Sequence, residues 1–565
     1  MSGQRLSYVC GAGTEPLWGV TVGVQLHHLA TVWPEGLALV DCQQGRRWTW
    51  SELDQQVDAL AAAYLELGLE PGDRVAIWMM NRSEWALAMF AAARIGMVSV
   101  NVNPGARKAE LERSLNRVQA RALIIQDQFK SSDYLKMVNE LFPELASAGE
   151  GALRCEAVPS LERVIRVGSA STPGMINFSE LLRAPNADTL ERVRSLSALV
   201  DFDAPANIQF SNAMGGEPAG TTLTHHNIIN NGLTVGRTLR LSEEDRVCIP
   251  VPLFHCFGLV MGNMACLTHG SAMIYPGEAF EPLDTLQAVQ KEGCTALYGV
   301  PAMFKAMLDH EEFAGFDLST LRTGIMAGAP CPPDTMDQVM NRMHMTEVTI
   351  GYGMTESSPI SFMSDVDDAV EHRLSTVGTI RPHQEAKIID SEGRIVPLGE
   401  VGELCVRGYN VMRGYWGDPD LTTRVVDTAR WLHTGDLARL DEAGYCRIVG
   451  GVKDVIIRGG ENIYPQEIED YLRGHPRVRD AVVVGVPDER LGEVVCACVE
   501  LQSGEETLTA QMLQDYCREQ IAHFKIPRYV RFYASFPSST GRALKFMLRD
   551  ESLKDLGLRD PGGGH

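Results

Sequence analysis

Short apolar runs alternate with stretches of helical spacing over most of the chain, and only near the C-terminal third does the rhythm change. Residues 46–51 read as a short strand leading into a helix, SELDQQVDALAAAYLELG, whose apolar positions recur at helical intervals. RVAIWMM, SEWALAMFAAARIG and VSVNVNP then read as strand, helix and strand, a βαβ pattern that implies a parallel sheet covered by helices. Residues 146–203 are mixed and loop-rich, and no firm element is assigned there. Further on, NIQF predicts a strand, followed by a glycine-rich loop and by THHN opening a helix. VCIPVPLFHCFGLVMG and SAMIYP give more strands and a pocket-like segment. TALYGVPAMF, GIMAGAPCPP and VTIGYGMTESSP each end an apolar strand in Gly, Pro and hydroxyl residues. Open α/β sheets bind ligands at the carboxyl ends of their strands, so these loops should converge on one site. From Lys387 the pattern turns to short strands and turns, an all-β subdomain over residues 387–450. A compact module over residues 451–565 completes the chain. The expected fold is therefore α/β: a large N-terminal domain (1–450) of parallel sheets covered by helices plus a β subdomain, and a small mobile α+β C-terminal domain.

Composition narrows the function. At 565 residues the chain is too long for one ordinary core. A net charge of −22 argues against a nucleic-acid surface, which needs a basic stripe. No apolar run is long enough to span a bilayer. The thirteen cysteines are scattered without metal-ligand spacing, and Cys496 and Cys498 alternate in VVCACVE as packing residues. With no signal-peptide layout at the N-terminus, a cytoplasmic location is expected.

The candidate chemistry centres on residues 208–227, IQFSNAMGGEPAGTTLTHHN. A strand, a glycine-rich turn and a helix start form a common phosphate cradle, because backbone N–H groups face the anion. This loop has no lysine, and no hydroxyl between Ser211 and Thr221. His225 and His226 read as helix-entry hydrogen bonders rather than metal ligands.

Seven motifs in order carry a family resemblance: Phe254-His255, Gly328-Ala329-Pro330, GYGMTES (351–357), GELCVRG (402–408), HTGDL (433–437), VKDVIIRGGENIYPQEIE (452–469) and TGRALK (540–545). With them the chain resembles the adenylate-forming superfamily of acyl-CoA synthetases, adenylation domains and luciferases, nearest its medium-chain acyl-CoA ligase branch. The resemblance implies that a carboxylate reacts with ATP to give acyl-AMP and pyrophosphate, after which a domain rotation lets the thiol of CoA take the acyl group. It implies that Asp436 holds the ribose hydroxyls, that Gly328, Ala329 and Pro330 flank the adenine with Tyr352, and that Gly351, Gly353 and Met354 belong to the AMP site. Thr355 would bond the α-phosphate and Glu356 would stand at a magnesium position. Phe254, His255, Gly258, Val300, Gly328 and Pro359 would line the acyl pocket, with His255 as its gate. Lys453 would be the hinge, and Gly459, Gly460, Glu461, Asn462 and Tyr464 would line the CoA tunnel. Blander readings stand beside these: Asp436 as a turn residue, His255 as a core histidine, Tyr352 as packing, Gly459 and Gly460 as an ordinary turn.

The chain departs from the family at the phosphate loop. Where the family has Thr-Ser-Gly-Thr-Thr-Gly-x-Pro-Lys-Gly, the register here is Ser211, Asn212, Ala213, Met214, Gly215, Gly216, Glu217, Pro218, Ala219, Gly220. The lysine of the C-terminal TGK is Arg542, with Lys545 nearby, and Gly451 replaces an arginine. One lost charge-assisted phosphate contact costs about 1.5–3 kcal/mol. The pattern resembles the non-adenylating ligases of platensimycin and platencin biosynthesis. It leads to the expectation of a thioesterification-only enzyme that takes acyl-AMP from a separate adenylating partner, uses CoA as co-substrate, and requires neither ATP nor magnesium. The acyl group would be a bulky hydrophobic acid of secondary metabolism. The rival readings are a complete ATP-dependent ligase using backbone N–H groups of the loop, and a non-catalytic binder of acyl-AMP or CoA.

Overall fold

A computed structural model describes residues 5–149, 153–168, 170–211, 218–328, 331–390, 392–451, 456–463, 465–502, 508–518, 520–536, 538–539, 542–543 and 545–558. The chain falls into two compact units. One takes in residues up to 104, 111–211 and 219–449; the other takes in 105–110 and residues from 450 onward.

Two large sheets organise the first unit. In one, the neighbours Leu37–Asp41, Ala272–Tyr275, Arg246–Cys248, Ala296–Gly299, Thr323–Ala327 and Glu347–Gly353 run parallel. Antiparallel strands close its ends, Arg46–Thr49 on one side and Ile360–Met363 followed by Thr379–Ile380 on the other. In the second, Arg163–Val167, Ala122–Gln126, Arg74–Trp78, Val98–Asn101 and Pro205–Ser211 are parallel neighbours. Strands such as Ala122–Gln126 and Ala296–Gly299 are buried along their whole length. That follows from helices on both faces, and it is why they read as unbroken apolar runs rather than alternations. A smaller antiparallel sheet carries Tyr8–Cys10, Gln384–Ile389, Gly402–Gly408 and Leu432–Leu440. The expected α/β architecture with a β-rich portion and a smaller C-terminal unit is the one observed.

Local chemistry sets the helices. Thr49 accepts from the Glu52 N–H at 3.2 Å while Glu52 accepts from the Thr49 N–H at 2.9 Å, a capping box that starts Trp50–Glu66. Helix Ser83–Arg94 is buried on every side, so its one cation must be paired inside. Arg94 donates to Asp58 at 2.5 Å and to Asp54, both on Trp50–Glu66.

The structure differs from the sequence reading at several places, among them strand Arg163–Val167 in the stretch left unassigned. Helix Ala187–Leu199, capped by Asn186, lies in the stretch left unassigned; only Val193 on it is buried, so its pattern carries little periodic signal. More consequentially, the glycine-rich loop does not lead directly into a helix. Strand Ala219–Thr224 intervenes and pairs antiparallel with Pro205–Ser211, making a hairpin. Thr221, Thr222 and Thr224 are β-branched, and they and Leu223 are buried, which favours a strand. Helix His225–Thr238 begins only afterwards, capped by Thr224 and Asn227.

In the second unit, strands Val478–Asp488 and Gly492–Leu501 form a long hairpin, joined by Tyr529–Tyr533 and by Ile456–Arg458 with Glu461–Ile463. Helix Pro465–Arg473 packs on one face. Cys496 and Cys498 are buried on the other face with Leu548 and Leu553, as packing residues should be. Among the described residues no helix is long and apolar enough to cross a membrane.

Removing the Arg94 guanidinium takes the buried cation from Asp58 and from Asp54, which keeps His27 at 2.9 Å, so Arg94→Met is expected to destabilise the first unit by about 3–5 kcal/mol, read as a lower urea midpoint at unchanged slope.

Candidate active site

The parallel strands Ala296–Gly299, Thr323–Ala327 and Glu347–Gly353 lie side by side, with Gly299 opposite Met326 and Ala327 opposite Gly351. Their carboxyl ends therefore bring Val300, Gly328 and the segment 351–357 to one edge of the sheet. Gly328 has φ +85° and sits against Val300. A Cβ at Gly353 would lie 1.7 Å from the Pro359 carbonyl oxygen, so only glycine lets that strand close on Pro359. The turn that follows is tied by the Ser357 hydroxyl, which donates to the Pro359 oxygen at 2.6 Å.

Glu356 is buried, and both hydroxyls bonded to it converge on Oε1: Ser211 at 2.9 Å and Tyr415 at 2.9 Å. Because the Ser211 proton goes to the carboxylate, Thr221 donates to Ser211 across the hairpin at 2.6 Å. A relay thus runs from the second sheet to the turn after Glu347–Gly353. Thr355 is next in line; its hydroxyl accepts from the Cys256 thiol at 3.6 Å. Burial pushes that thiol up to about 12, so it stays protonated. Cys256 follows Phe254 and His255, and the Phe254 carbonyl accepts from Asn101 at 2.8 Å.

His255 is desolvated, which pulls its pKa down to about 4 and keeps it neutral at pH 7. Its Nδ1 accepts from the Phe257 N–H at 3.2 Å. The segment beyond, Phe257–Met264, is a buried π-helix that opens with Gly258 packed on Pro252. On strand Leu432–Leu440, Asp436 accepts from the Tyr352 hydroxyl at 2.6 Å. Burial and the Asp436 carboxylate both raise the Tyr352 pKa far above its ordinary value, so it remains a donor. Tyr352 is therefore more than packing; it orients Asp436.

Other expected positions fall differently. Ala219 is wholly buried opposite Ser211 in the hairpin. Asn212, Ala213, Met214, Gly215, Gly216, Glu217, Ala329, Pro330, Lys453 and Tyr464 lie outside the described residues. In the second unit, Gly459 (φ +58°) and Gly460 (φ +89°) form the two-residue turn between Ile456–Arg458 and Glu461–Ile463, with Arg458 opposite Glu461. Two successive left-handed residues define a hairpin turn that glycine suits, so the turn alone accounts for both glycines. Asn462 pairs with Ile457 in the same hairpin. Arg542 lies on a short strand paired with Ser538–Ser539. Lys545 is bound to the buried Glu469 at 2.8 Å, a structural pairing.

The sequence reading missed Thr221, Cys256 and Tyr415. Their contacts join positions from 10 to 99 residues apart, and no local spacing signals them. His225 was expected to hydrogen-bond at the helix entry, and its Nδ1 accepts from the Val22 N–H at 3.2 Å.

Comparison with known proteins agrees with this architecture. Residues 26–416 match the AMP-binding enzyme family and residues 467–541 match the AMP-binding enzyme C-terminal domain. The chain belongs to the AMP-binding enzyme family. It is 43% identical over 558 residues to the mitochondrial medium-chain acyl-CoA ligase ACSF2 of Danio rerio, covering 98% of this chain and 91% of that protein. It is 43% identical over 544 residues to the putative acyl-CoA synthetase YngI of Bacillus subtilis (strain 168), covering 95% and 98%. The amide bond synthetase McbA from Marinactinospora thermotolerans shares its fold with a TM-score of 0.78 at 26% identity, covering 94% and 99%.

These relatives overturn one expectation. Proteins aligned over nearly the whole chain are named as acyl-CoA ligases and synthetases, and a ligase couples its new bond to cleavage of ATP, which it takes as the magnesium complex. The expectation that ATP and magnesium are not required is corrected accordingly. The likeness to non-adenylating ligases finds no support among these relatives.

His225 is fully buried and held near pKa 4 by desolvation, against an ordinary 6.5. Between those values the unfolded chain binds the proton that the folded one refuses, so this group lowers stability as pH falls through that window. The expected loss from this one histidine between pH 7 and 5 is about 2 kcal/mol. His225→Gln should flatten the urea-derived stability over that range, whereas an unchanged slope would contradict the assignment.

Proposed function

We propose that the chain is a complete ATP-dependent acyl-CoA ligase acting on a hydrophobic carboxylic acid of the medium-chain class. The observation that carries this reading is the match of 43% over 98% of the chain to a protein named medium-chain acyl-CoA ligase. The ordered site supports it: Asp436 oriented by Tyr352, Thr355 beside Glu356, and Glu356 itself buried with two hydroxyl donors.

In this reading the substrate carboxylate attacks the α-phosphorus of ATP, and pyrophosphate leaves with its magnesium. The CoA thiol then attacks the acyl carbonyl, forming the thioester while AMP leaves and the thiol proton is lost. Asp436 accepts from the ribose hydroxyls, a task that suits two acceptor oxygens. The Thr355 hydroxyl meets the α-phosphate, and Glu356 is the magnesium-facing carboxylate. His255, neutral at pH 7, borders the acyl pocket with Phe254, Gly258, Val300 and Pro359. Met214 and Gly215 stand where the family has hydroxyls, so the triphosphate would be left to backbone N–H groups of the loop, and Arg542 supplies charge in place of lysine. A guanidinium is a planar fork rather than a point charge, so the first half-reaction should be slow, not absent. No separate adenylating partner is needed. The thirteen cysteines are all free, which fits a reducing compartment, the cytoplasm or the mitochondrial matrix.

The test compares two reactions of the purified protein: hydrophobic acids with ATP, magnesium and CoA, and the matching synthetic acyl-adenylates with CoA alone. Thioester in both is expected, and thioester only in the second would overturn the proposal. Asp436→Ala should raise the KM for ATP about tenfold or more with the fold intact, since a hydrogen bond to a charged group contributes about 1.5–3 kcal/mol. Rebuilding residues 212–219 to the family's hydroxyl-and-lysine loop together with Arg542→Lys should raise kcat/KM for ATP by roughly 10- to 100-fold; no gain in a folded protein would remove the loop as the cause of slow adenylation.

A further inference from the structure

Strands Gly402–Gly408 and Leu432–Leu440 carry a side-chain group that the proposed reaction does not use. Glu403, Cys405 and His433 place their donor atoms within 4.8 Å of one another. The Cys405 Sγ lies 3.6 Å from His433 Nδ1, and Glu403 Oε2 lies 3.1 Å from the same nitrogen. Thiol, imidazole and carboxylate so close together are a donor set for a borderline-soft cation.

Distances sharpen the point. Zinc bonds sulfur at about 2.3 Å and nitrogen or oxygen at about 2.0–2.2 Å. Tetrahedral angles then put the S···N edge at roughly 3.6 Å and the N···O edge at roughly 3.4 Å. The S···N separation already fits, and the N···O separation needs a few tenths of an ångström. Register explains the convergence, because Cys405 stands directly opposite His433 in the ladder. Beyond the ring, Asp427 Oδ2 lies 4.0 Å from His433 Nε2. A carboxylate on the far side of a ligating imidazole is the usual way its tautomer and orientation are set. Access is open from one side: Cys405 is buried, whereas the Glu403 and His433 side chains keep 29% and 28% of their exposure. The opposing feature is Lys387, which stands opposite Cys405 in the neighbouring strand pair and places its ammonium 4.5 Å over the Trp431 ring, close enough for its charge to act on Cys405 and His433.

We propose that Glu403, Cys405 and His433 form a zinc site, with water completing a tetrahedron. The simpler account is that the Glu403–His433 hydrogen bond only braces the two strands, and experiment separates the two.

Titrating the full-length protein with cobalt(II) as the optical probe should give one site with a sulfur-to-cobalt band in the near ultraviolet and tetrahedral visible bands, displaced by one equivalent of zinc. Cys405→Ser should abolish the sulfur band, and His433→Gln should weaken zinc binding about tenfold or more while urea denaturation confirms a folded chain. Should Cys405→Ser fail to fold, the more exposed His433→Gln carries the test alone. No cobalt binding overturns the proposal. A band that survives both substitutions assigns the metal to other thiols and overturns it equally.

Discussion

A buried carboxylate holds the candidate site together. Glu356 is enclosed by protein, and leaving it unpaired there would cost several kcal/mol. Ser211, itself hydrogen-bonded to Thr221, and Tyr415 supply the hydroxyls that bond it in place. Ser211 and Thr221 belong to the hairpin of one large sheet, Tyr415 to the short strand beside it, and Glu356 to the turn leaving the other. One polar junction therefore locks the two sheets in register at the edge where Thr355, Tyr352 and Asp436 gather. Disturb it and the turn, the hairpin and the strand ends lose their common reference.

The retained residues and the altered ones fall on different parts of the proposed reaction. Asp436, Tyr352, Thr355 and Glu356 are ordered by mutual hydrogen bonds or by their neighbours. The departures cluster at the phosphate loop and at Arg542. A chain 43% identical to a medium-chain acyl-CoA ligase over 98% of its length fits a ligase whose grip on the triphosphate is weakened better than one that has surrendered ATP.

Much of the fold was legible because strand burial and helix amphipathicity leave direct marks on sequence. Strands Arg74–Trp78 and Ala296–Gly299 are legible in RVAIWMM and TALYGVPAMF because both faces are covered, whereas the PAMF that follows the second opens helix Pro301–Leu308. The hairpin strand Ala219–Thr224 was lost because its threonines read as polar, although all six of its residues are buried. The site was legible only where motifs run contiguously, as in GYGMTES. Tyr415 and Cys256 reach Glu356 and Thr355 through tertiary contacts that no spacing rule encodes. At Gly459 and Gly460 a hairpin turn with positive φ explains why both residues are glycine.

The most direct measurement of the central claim is ATP–pyrophosphate exchange with a hydrophobic acid and magnesium, in the absence of CoA. It isolates the first half-reaction. Label passing from pyrophosphate into ATP, dependent on the acid and reduced in Glu356→Gln, is the predicted result. Absence of exchange with every acid whose acyl-adenylate the same protein converts to thioester would contradict the account.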